Sequence, residues 1–182
     1  MEVVIMQSFH EYIDVFLRLC AVYLFLFLFF LLNIISISMP LSITIDVPFV
    51  LMLLYYWSIY RPTLIPPLLV FAMGVCLDLL SGWPLGLNAF IFLVLRQSVT
   101  SQRVFLTGQP FIVVWLGFMV AVSSSLFLQW ALFGLIRLQW VSFDPVIISI
   151  FIGIVLFPAI ALVLHILHRM LPEIQGQYSA VT

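Results

Sequence analysis

Residues 111–136 have the sequence FIVVWLGFMVAVSSSLFLQWALFGLI, which contains no charged side chain. A helix over this range would be about 39 Å long, which exceeds the thickness of the hydrocarbon core of a bilayer. Its Phe, Leu, Ile and Val residues favour insertion into lipid and outweigh its few polar residues. The segment therefore predicts a transmembrane helix.

The composition of the whole chain agrees with this prediction. Of 182 residues, 65% are apolar, 16% are aromatic and 7% are charged, and six Arg, no Lys and seven acidic residues give a net charge of −1. So few polar groups cannot cover the surface of a water-soluble globule, and the chain is too apolar to be disordered. It lacks the basic stripe of a nucleic-acid-binding protein. We expect an integral membrane protein with no nucleic-acid partner.

Charged and turn-forming residues divide the chain into apolar runs. Six runs lie at residues 19–39, 47–60, 64–80, 85–95, 111–136 and 145–168. Runs two to four are short, and we interpret them as tightly packed helices or as helices in a locally thin membrane. The polar segment 97–110 contains Gly108 and Pro110 and predicts a loop. The sequence thus predicts an all-α, polytopic membrane protein with six transmembrane helices, forming a single domain over residues 1–182.

The arginines predict the orientation of these helices. Six crossings place both termini on one side, and a cytoplasmic N-terminus leaves only Arg137 outside. The inner arginines are then Arg18, Arg61, Arg96, Arg103 and Arg169. The positive-inside rule favours this N-in/C-in arrangement. The helix dipole offers a second explanation for the four that are predicted to lie at helix C-termini, which are Arg61, Arg96, Arg137 and Arg169.

Two aspartates precede predicted helices that run from the outer to the inner side. Asp144 is followed by Pro145, which is the pattern of an N-cap and a first helical position. Asp46, two residues before Pro48, resembles a looser version of the same signal. We interpret both aspartates as helix caps. Together with Asp78 and opposite Arg137, they also offer a mildly acidic outer surface to a partner.

The segment GVCLDLLSGWPLG, residues 74–86, contains the third of these aspartates. Asp78 lies near the outer boundary of its run, and Ser81, Gly82 and Pro84 supply turn chemistry just after it. We interpret its carboxylate as an acceptor for N–H groups of this turn, tying runs three and four into a hairpin. A partner contact, or a proton or ion site, is the alternative.

Small residues recur at four-residue spacing on the fifth predicted helix, at Gly117, Ala121 and Ser125. Such a stripe lets two membrane helices approach closely. We interpret it as packing within the bundle, and a docking face for another protein is the alternative.

The sequence carries no signature of catalysis. It lacks the nucleophile-elbow, zinc-protease, phosphate-loop and dinucleotide-binding patterns. His165 and His168 are spaced like two metal ligands, but no nearby Cys, Asp or Glu completes a site. We expect a protein that is not an enzyme and that holds no metal or cofactor.

Elements of three predicted helices together resemble those of a known family. The elements run from Pro48 through YYW at 55–57 and YRP at 60–62, then from Gly74 through DLLSG at 78–82 and PLG at 84–86. In this order they resemble the rod shape-determining membrane proteins of the MreD family, best over residues 45–95. The motif positions carried over are Trp57, Arg61, Pro62, Gly74, Asp78, Gly82, Pro84 and Gly86.

The resemblance implies a function and a set of partners. MreD-like proteins are non-catalytic subunits of the bacterial cell-elongation complex in the inner membrane. The implied partners are MreC and, through it, the MreB filament and the RodA glycosyltransferase with its class B penicillin-binding transpeptidase. The implied fold is similar to that of the substrate-binding subunits of energy-coupling-factor transporters, which also have six helices.

That fold similarity leaves a second hypothesis open, which is a small-molecule-binding subunit of a membrane transporter. Such a subunit needs polar groups that converge on a cavity. The candidates are Asn33, Asn88, Gln129 and the serines at 123–125, which the sequence predicts to be few and scattered. A channel is a third and weaker hypothesis, since no ring of pore-lining polar residues is visible.

Overall fold

The computed structural model describes residues 20, 23–33, 37–38, 44–45, 47–138 and 141–170. Within these ranges the regular secondary structure consists of helices and two very short strands. The helices are α1 (Tyr23–Asn33), α2 (Phe49–Tyr60), α3 (Pro67–Ser81), α4 (Leu87–Thr107), α5 (Phe111–Arg137) and α6 (Asp144–Met170). The strands, β1 (Ile37–Ser38) and β2 (Thr44–Ile45), form an antiparallel pair between α1 and α2.

The first predicted run was wrong in its last residues. A helix over 19–39 was expected, but Ile37 and Ser38 lie in a strand and pair with Ile45 and Thr44. Neither Ile nor Ser is a strong helix former, and Pro40 follows closely in the sequence. The expected cap at Asp46 lies outside the described residues, as does Arg18.

The predicted loop over 97–110 was also wrong. Helix α4 continues through this segment to Thr107 and ends just before Gly108. The segment is amphipathic, because Leu95, Val99 and Leu106 are buried at helical spacing while Ser101 to Arg103 are exposed. The polar composition of the segment is typical of a loop, but its apolar residues recur at helical spacing. Consequently Arg96 lies in the middle of a helix and not at a C-terminus.

The expected N-cap of α6 at Asp144 was wrong by one residue. The carbonyl of Phe143 accepts the backbone N–H groups of Val146 and Ile147, at 3.1 and 3.2 Å. The first bonds of α6 therefore begin at Phe143, and Asp144 lies in the first turn. A negative charge there still favours the positive end of the helix dipole.

Helix α2 occupies the centre of the structure. Every residue from Val50 to Ile59 is buried, and the helix contacts α4, α5 and α6. The hydroxyl of Tyr55 donates a hydrogen bond to the carbonyl of Val114 in α5 at 2.9 Å, and its ring contacts Phe118 and Phe157 edge-on. Helix α2 is about 18 Å long, which is less than the thickness of the hydrocarbon core, and the longer helices that enclose it separate it from the lipid.

Helices α5 and α6 have the length and composition of membrane spans. Only 22% of the most apolar window in each is buried, whereas a core helix of a soluble protein would be mostly buried. Their outer faces instead expose large apolar side chains such as Leu116, Val120, Phe151 and Leu162. An exposed apolar surface of this extent is suited to lipid and would be a liability in water.

Successive helices alternate in direction. One cavity is lined by residues from the C-terminal ends of α1, α3 and α5 and from the N-terminal ends of α4 and α6. We call this the hairpin end, because the turn between α3 and α4 lies there. We call the opposite end, where Arg96 contacts the α2–α3 connection, the arginine end.

Candidate functional site

The two helices of the α3–α4 hairpin approach each other most closely at Gly74. A Cβ at Gly74 would overlap the backbone of Ala89 and lie 2.9 Å from the Ala89 Cβ. Ala89 is fully buried and cannot move aside without moving α4. The sequence identified Gly74 only through the family motif, and the structure supplies the physical reason for a glycine there.

Two glycines define the turn of this hairpin. Gly82 ends α3 with a φ of 68°, and Gly86 precedes α4 with a φ of 90°. Positive φ is disfavoured for residues with a Cβ, so both positions call for glycine. The carbonyl of Pro84 accepts the N–H of Leu87 at 3.2 Å, which closes the turn.

Asp78 connects α3 to the start of α4. Its side chain is fully buried, and both carboxylate oxygens accept hydrogen bonds. One oxygen accepts the backbone N–H of Gly86 at 2.9 Å, and the other accepts the backbone and side-chain N–H groups of Asn88, at 3.1 and 2.7 Å. Because Gly86 and Asn88 lie at the N-terminus of α4, their backbone N–H groups would otherwise lack intrahelical partners. Burial also leaves no exposed carboxylate for a partner to contact.

The hydrogen-bond network extends from Asn88 to α5. The side-chain N–H of Gln129 donates to the Asn88 carbonyl oxygen at 3.0 Å, so Asp78, Asn88 and Gln129 link three helices. The sequence named Asn88 and Gln129 as polar candidates but predicted that they would be scattered. That prediction was wrong, because residues 41 positions apart meet in the folded chain.

A cavity of about 540 Å³ adjoins this network. Asn33, Asn88 and Gln129 contribute polar groups to its wall, and Trp83 and Trp130 contribute aromatic rings. The remaining described lining residues are Val47, Pro48, Leu51, Leu77, Leu80, Ser81, Phe92, Leu126, Phe133, Val141, Ser142, Pro145 and Val146. Its size falls within the range of sites for small molecules, which is about 300–1,000 Å³.

The other motif residues lie at the arginine end. Trp57 is buried and its ring stacks on that of His168, with centroids 6.0 Å apart. Arg61 ends α2, and its backbone N–H donates to the Trp57 carbonyl at 2.9 Å. The motif is therefore divided between the two ends of the bundle and does not form one site.

Arg96 stabilises the connection between α2 and α3. Its guanidinium donates from Nε to the Ile65 carbonyl at 2.7 Å and from Nη2 to the Pro62 carbonyl at 3.4 Å. No local pattern in the sequence indicates this role, because the contact joins residues 31 and 34 positions apart. Through this contact α4 also holds the backbone carbonyl of the motif residue Pro62.

The stripe of small residues on α5 faces the interior. Gly117, Ala121 and Ser125 line a second cavity of about 240 Å³ whose wall also includes Leu95 and Val99 of α4. A Cβ at Gly117 would lie 2.6 Å from the Tyr55 hydroxyl oxygen. These contacts agree with packing inside the bundle.

The two histidines of α6 differ in their surroundings. His165 is exposed, while the ring of His168 contacts Trp57 and Tyr60. Within the described part of the chain no cluster of three or more His, Cys, Asp or Glu has the arrangement of a metal site.

Comparison with known proteins identifies the family. The model of the family described as rod shape-determining protein MreD matches residues 15–167 of the 182. No curated protein and no solved structure gives a match. The matched range includes the whole α3–α4 hairpin, the Asp78 network and the contacts of Arg96. The chain therefore belongs to the MreD family of rod shape-determining proteins.

Proposed function

We propose that this chain is a non-catalytic subunit of the bacterial cell-elongation complex. It maintains rod shape by helping MreC to position peptidoglycan synthesis at the inner membrane. The family membership supports the role in cell shape. The observation that carries the non-catalytic part of the proposal is the Asp78 network, in which the buried carboxylate is engaged by three N–H donors and serves to join helices.

We propose a topology of six crossings with both termini in the cytoplasm. The alternating direction of the described helices supports it, and so does the distribution of charge. Arg61 and Arg96 lie at the arginine end, and Arg137 and Asp144 lie at the other end. By the positive-inside rule the arginine end faces the cytoplasm. A fold like that of the substrate-binding subunits of energy-coupling-factor transporters belongs to the same proposal.

Partner binding in this proposal uses the lipid-facing surfaces. The exposed apolar faces of α5 and α6 offer MreC a surface within the bilayer, where association depends on close packing. MreC then connects the chain to the RodA glycosyltransferase and to the class B transpeptidase, and indirectly to the MreB filament. The soluble segments between described helices are too short to form a separate binding domain.

Depletion of the protein in its own rod-shaped host tests this function. We expect cells to widen and become round as the protein is lost, and a plasmid-borne copy to restore rods. Cells that remain normal rods after the protein has disappeared from the membrane would contradict the proposal.

A second candidate function is a small-molecule-binding subunit of a transporter. The 540 Å³ cavity favours this function. Asn33, Asn88 and Gln129, which the sequence predicts to be scattered, all line that cavity. The depletion experiment separates the two candidates. Normal rods that lose uptake of one nutrient would indicate transport, and round cells with unchanged uptake would indicate the elongation complex.

A further inference from the structure

The hydrogen bonds around Asp78 determine which polar atom remains beside the cavity at the hairpin end. A buried carboxylate that accepts hydrogen bonds from N–H donors requires the Asn88 side chain to present its NH₂ group to Asp78. The Asn88 carbonyl oxygen is then turned towards Gln129 and accepts from its NH₂ group. Gln129 is left with its carbonyl oxygen, Oε1, as an unused acceptor.

The side-chain amide of Asn33 is oriented so that its NH₂ group, and not its carbonyl oxygen, is left without a hydrogen bond among the residues that the structure describes. The carbonyl oxygen of Asn33 accepts the backbone N–H of Val50 at 3.1 Å, and that N–H is able only to donate. Asn33 is left with its NH₂ group, a pair of unused donors. Neither this group nor Gln129 Oε1 has a partner in the described part of the chain. Both residues line the same cavity.

The rest of the cavity wall limits the charge of an occupant. None of the described lining residues is Asp, Glu, Lys, Arg or His. The charge of Asp78 is already engaged by Gly86 and Asn88. A charged ligand would have no opposite charge here to offset its loss of hydration.

The apolar part of the wall limits its shape. Trp83, Phe92, Trp130 and Phe133 provide aromatic surface, and the cavity is partly open at the edge of an apolar bundle. A molecule that fills it must place an apolar portion against these rings and polar groups against the two amides. Hydroxyl groups suit both amides, because a hydroxyl is able to accept from the Asn33 NH₂ group and to donate to Gln129 Oε1.

We propose that this cavity binds an uncharged amphiphilic molecule whose polar part carries hydroxyl groups. Its hydroxyls accept from the NH₂ group of Asn33 and donate to Gln129 Oε1, while its apolar portion lies against Trp83 and Trp130. The Asp78–Asn88 pair has a positioning role, since it orients Gln129. This inference does not depend on whether the chain acts in cell elongation or in transport.

Binding can be counted by native mass spectrometry of the purified full-length protein in dodecyldimethylamine oxide, a detergent without hydroxyl groups. The probe is octyl β-glucoside, an uncharged amphiphile with hydroxyl groups, added below its micellar concentration. Octyl sulfate, with the same chain and a negative charge, and glucose, without a chain, are the comparison probes. We expect one octyl glucoside per protein and at least tenfold weaker binding of the other two.

Variants locate the binding. Ser142→Trp places an indole at the wall of this cavity and leaves the Asp78 network intact, whereas Ser124→Trp does the same at the second cavity. We expect Ser142→Trp and Asn33→Leu each to weaken octyl glucoside binding at least tenfold and Ser124→Trp to leave it unchanged. Circular dichroism confirms that each variant is folded, and Ser142→Trp keeps the test valid where Asn33→Leu does not fold.

Three outcomes would overturn the proposal. They are the absence of a single saturable octyl glucoside, equal binding of octyl sulfate or glucose, and equal weakening by the two tryptophan variants. The assay uses purified protein and does not depend on cell shape. Its failure would therefore leave the proposed role in elongation standing, and failure of that role would leave the binding result standing.

Discussion

Asp78 and Asn88 are joined by two hydrogen bonds to one carboxylate oxygen, from the Asn88 backbone at 3.1 Å and from its side chain at 2.7 Å. The pair fixes the end of α3 against the start of α4 and, through Asn88, orients Gln129 of α5. A buried carboxylate is costly unless its hydrogen bonds are complete. The pair is therefore both a structural joint of the hairpin and the element that shapes the adjoining cavity.

Replacing the carboxylate should loosen this joint. In Asp78→Asn, an NH₂ group replaces one of the two accepting oxygens. It must face either the N–H of Gly86 or the N–H groups of Asn88, and two donors that face each other cannot form a hydrogen bond. We expect the free energy of unfolding to fall by about 1–3 kcal/mol. Thermal unfolding of the purified variants in detergent measures the change. Asp144→Asn, which removes a charge only from the first turn of α6, should cost no more than about 1 kcal/mol, and equal losses would contradict the assignment.

Adding a methyl group at the helix crossing should force the hairpin apart. Gly74→Ala places a Cβ against the Ala89 backbone, and overpacking of this kind costs about 1–3 kcal/mol. Thermal unfolding and the amount of protein recovered from membranes are the measurements. The matched control is Gly108→Ala, since Gly108 has an ordinary helical φ of −87° and open surroundings. Equal stability of the two variants would show that the crossing is not tight.

A side chain at position 86 should destabilise the turn through backbone strain and not through a steric clash. Gly86→Ala finds open space around its Cβ but must hold a φ of 90°. The left-handed conformation costs about 1–2 kcal/mol for a residue with a Cβ. We expect Gly86→Asn to be tolerated better than Gly86→Ala, because Asn visits this region more readily. A reversed order in unfolding temperature would rule out backbone strain as the cause.

At the opposite end, loss of the Arg96 guanidinium should free the α2–α3 connection. Arg96→Met removes the hydrogen bonds to the carbonyls of Ile65 and Pro62, and hydrogen bonds to charged groups contribute about 1.5–3 kcal/mol. Arg103→Met removes an exposed arginine from the same helix and serves as the control. The difference in unfolding temperature between these variants measures the contribution of the carbonyl contacts. No difference would mean that these contacts do not stabilise the protein.

Local patterns in the sequence predicted most of the fold. Uninterrupted apolar runs gave the approximate positions of α2, α3, α5 and α6, because charge and proline mark the ends of such helices. The turn residues after Asp78 likewise predicted the hairpin. The errors arose where a local signal was ambiguous. The polar composition after Arg96 favours a loop although the spacing of its apolar residues is helical, and the paired strands after α1 resemble a continuing apolar run.

The candidate site was harder to predict, because it depends on contacts between distant residues. Nothing near Gln129 in the sequence indicates that it meets Asn88, and nothing near Arg96 indicates that it binds the carbonyl of Ile65. The requirement for glycine at position 74 depends on the backbone of Ala89 in the next helix. Composition and periodicity identify which residues are polar, but only the packed bundle shows which of them converge.

Cell shape in a strain whose only copy carries Asp78→Asn tests most directly whether the folded protein maintains rod shape. The measurement is the length-to-width ratio of cells, with an Asp144→Asn strain as control and the membrane level of each protein determined by immunoblot. We expect the Asp78→Asn cells to become short and round at a temperature where the control cells remain rods. Normal rods in a strain whose Asp78→Asn protein is unfolded or lost from the membrane would contradict a role in rod shape.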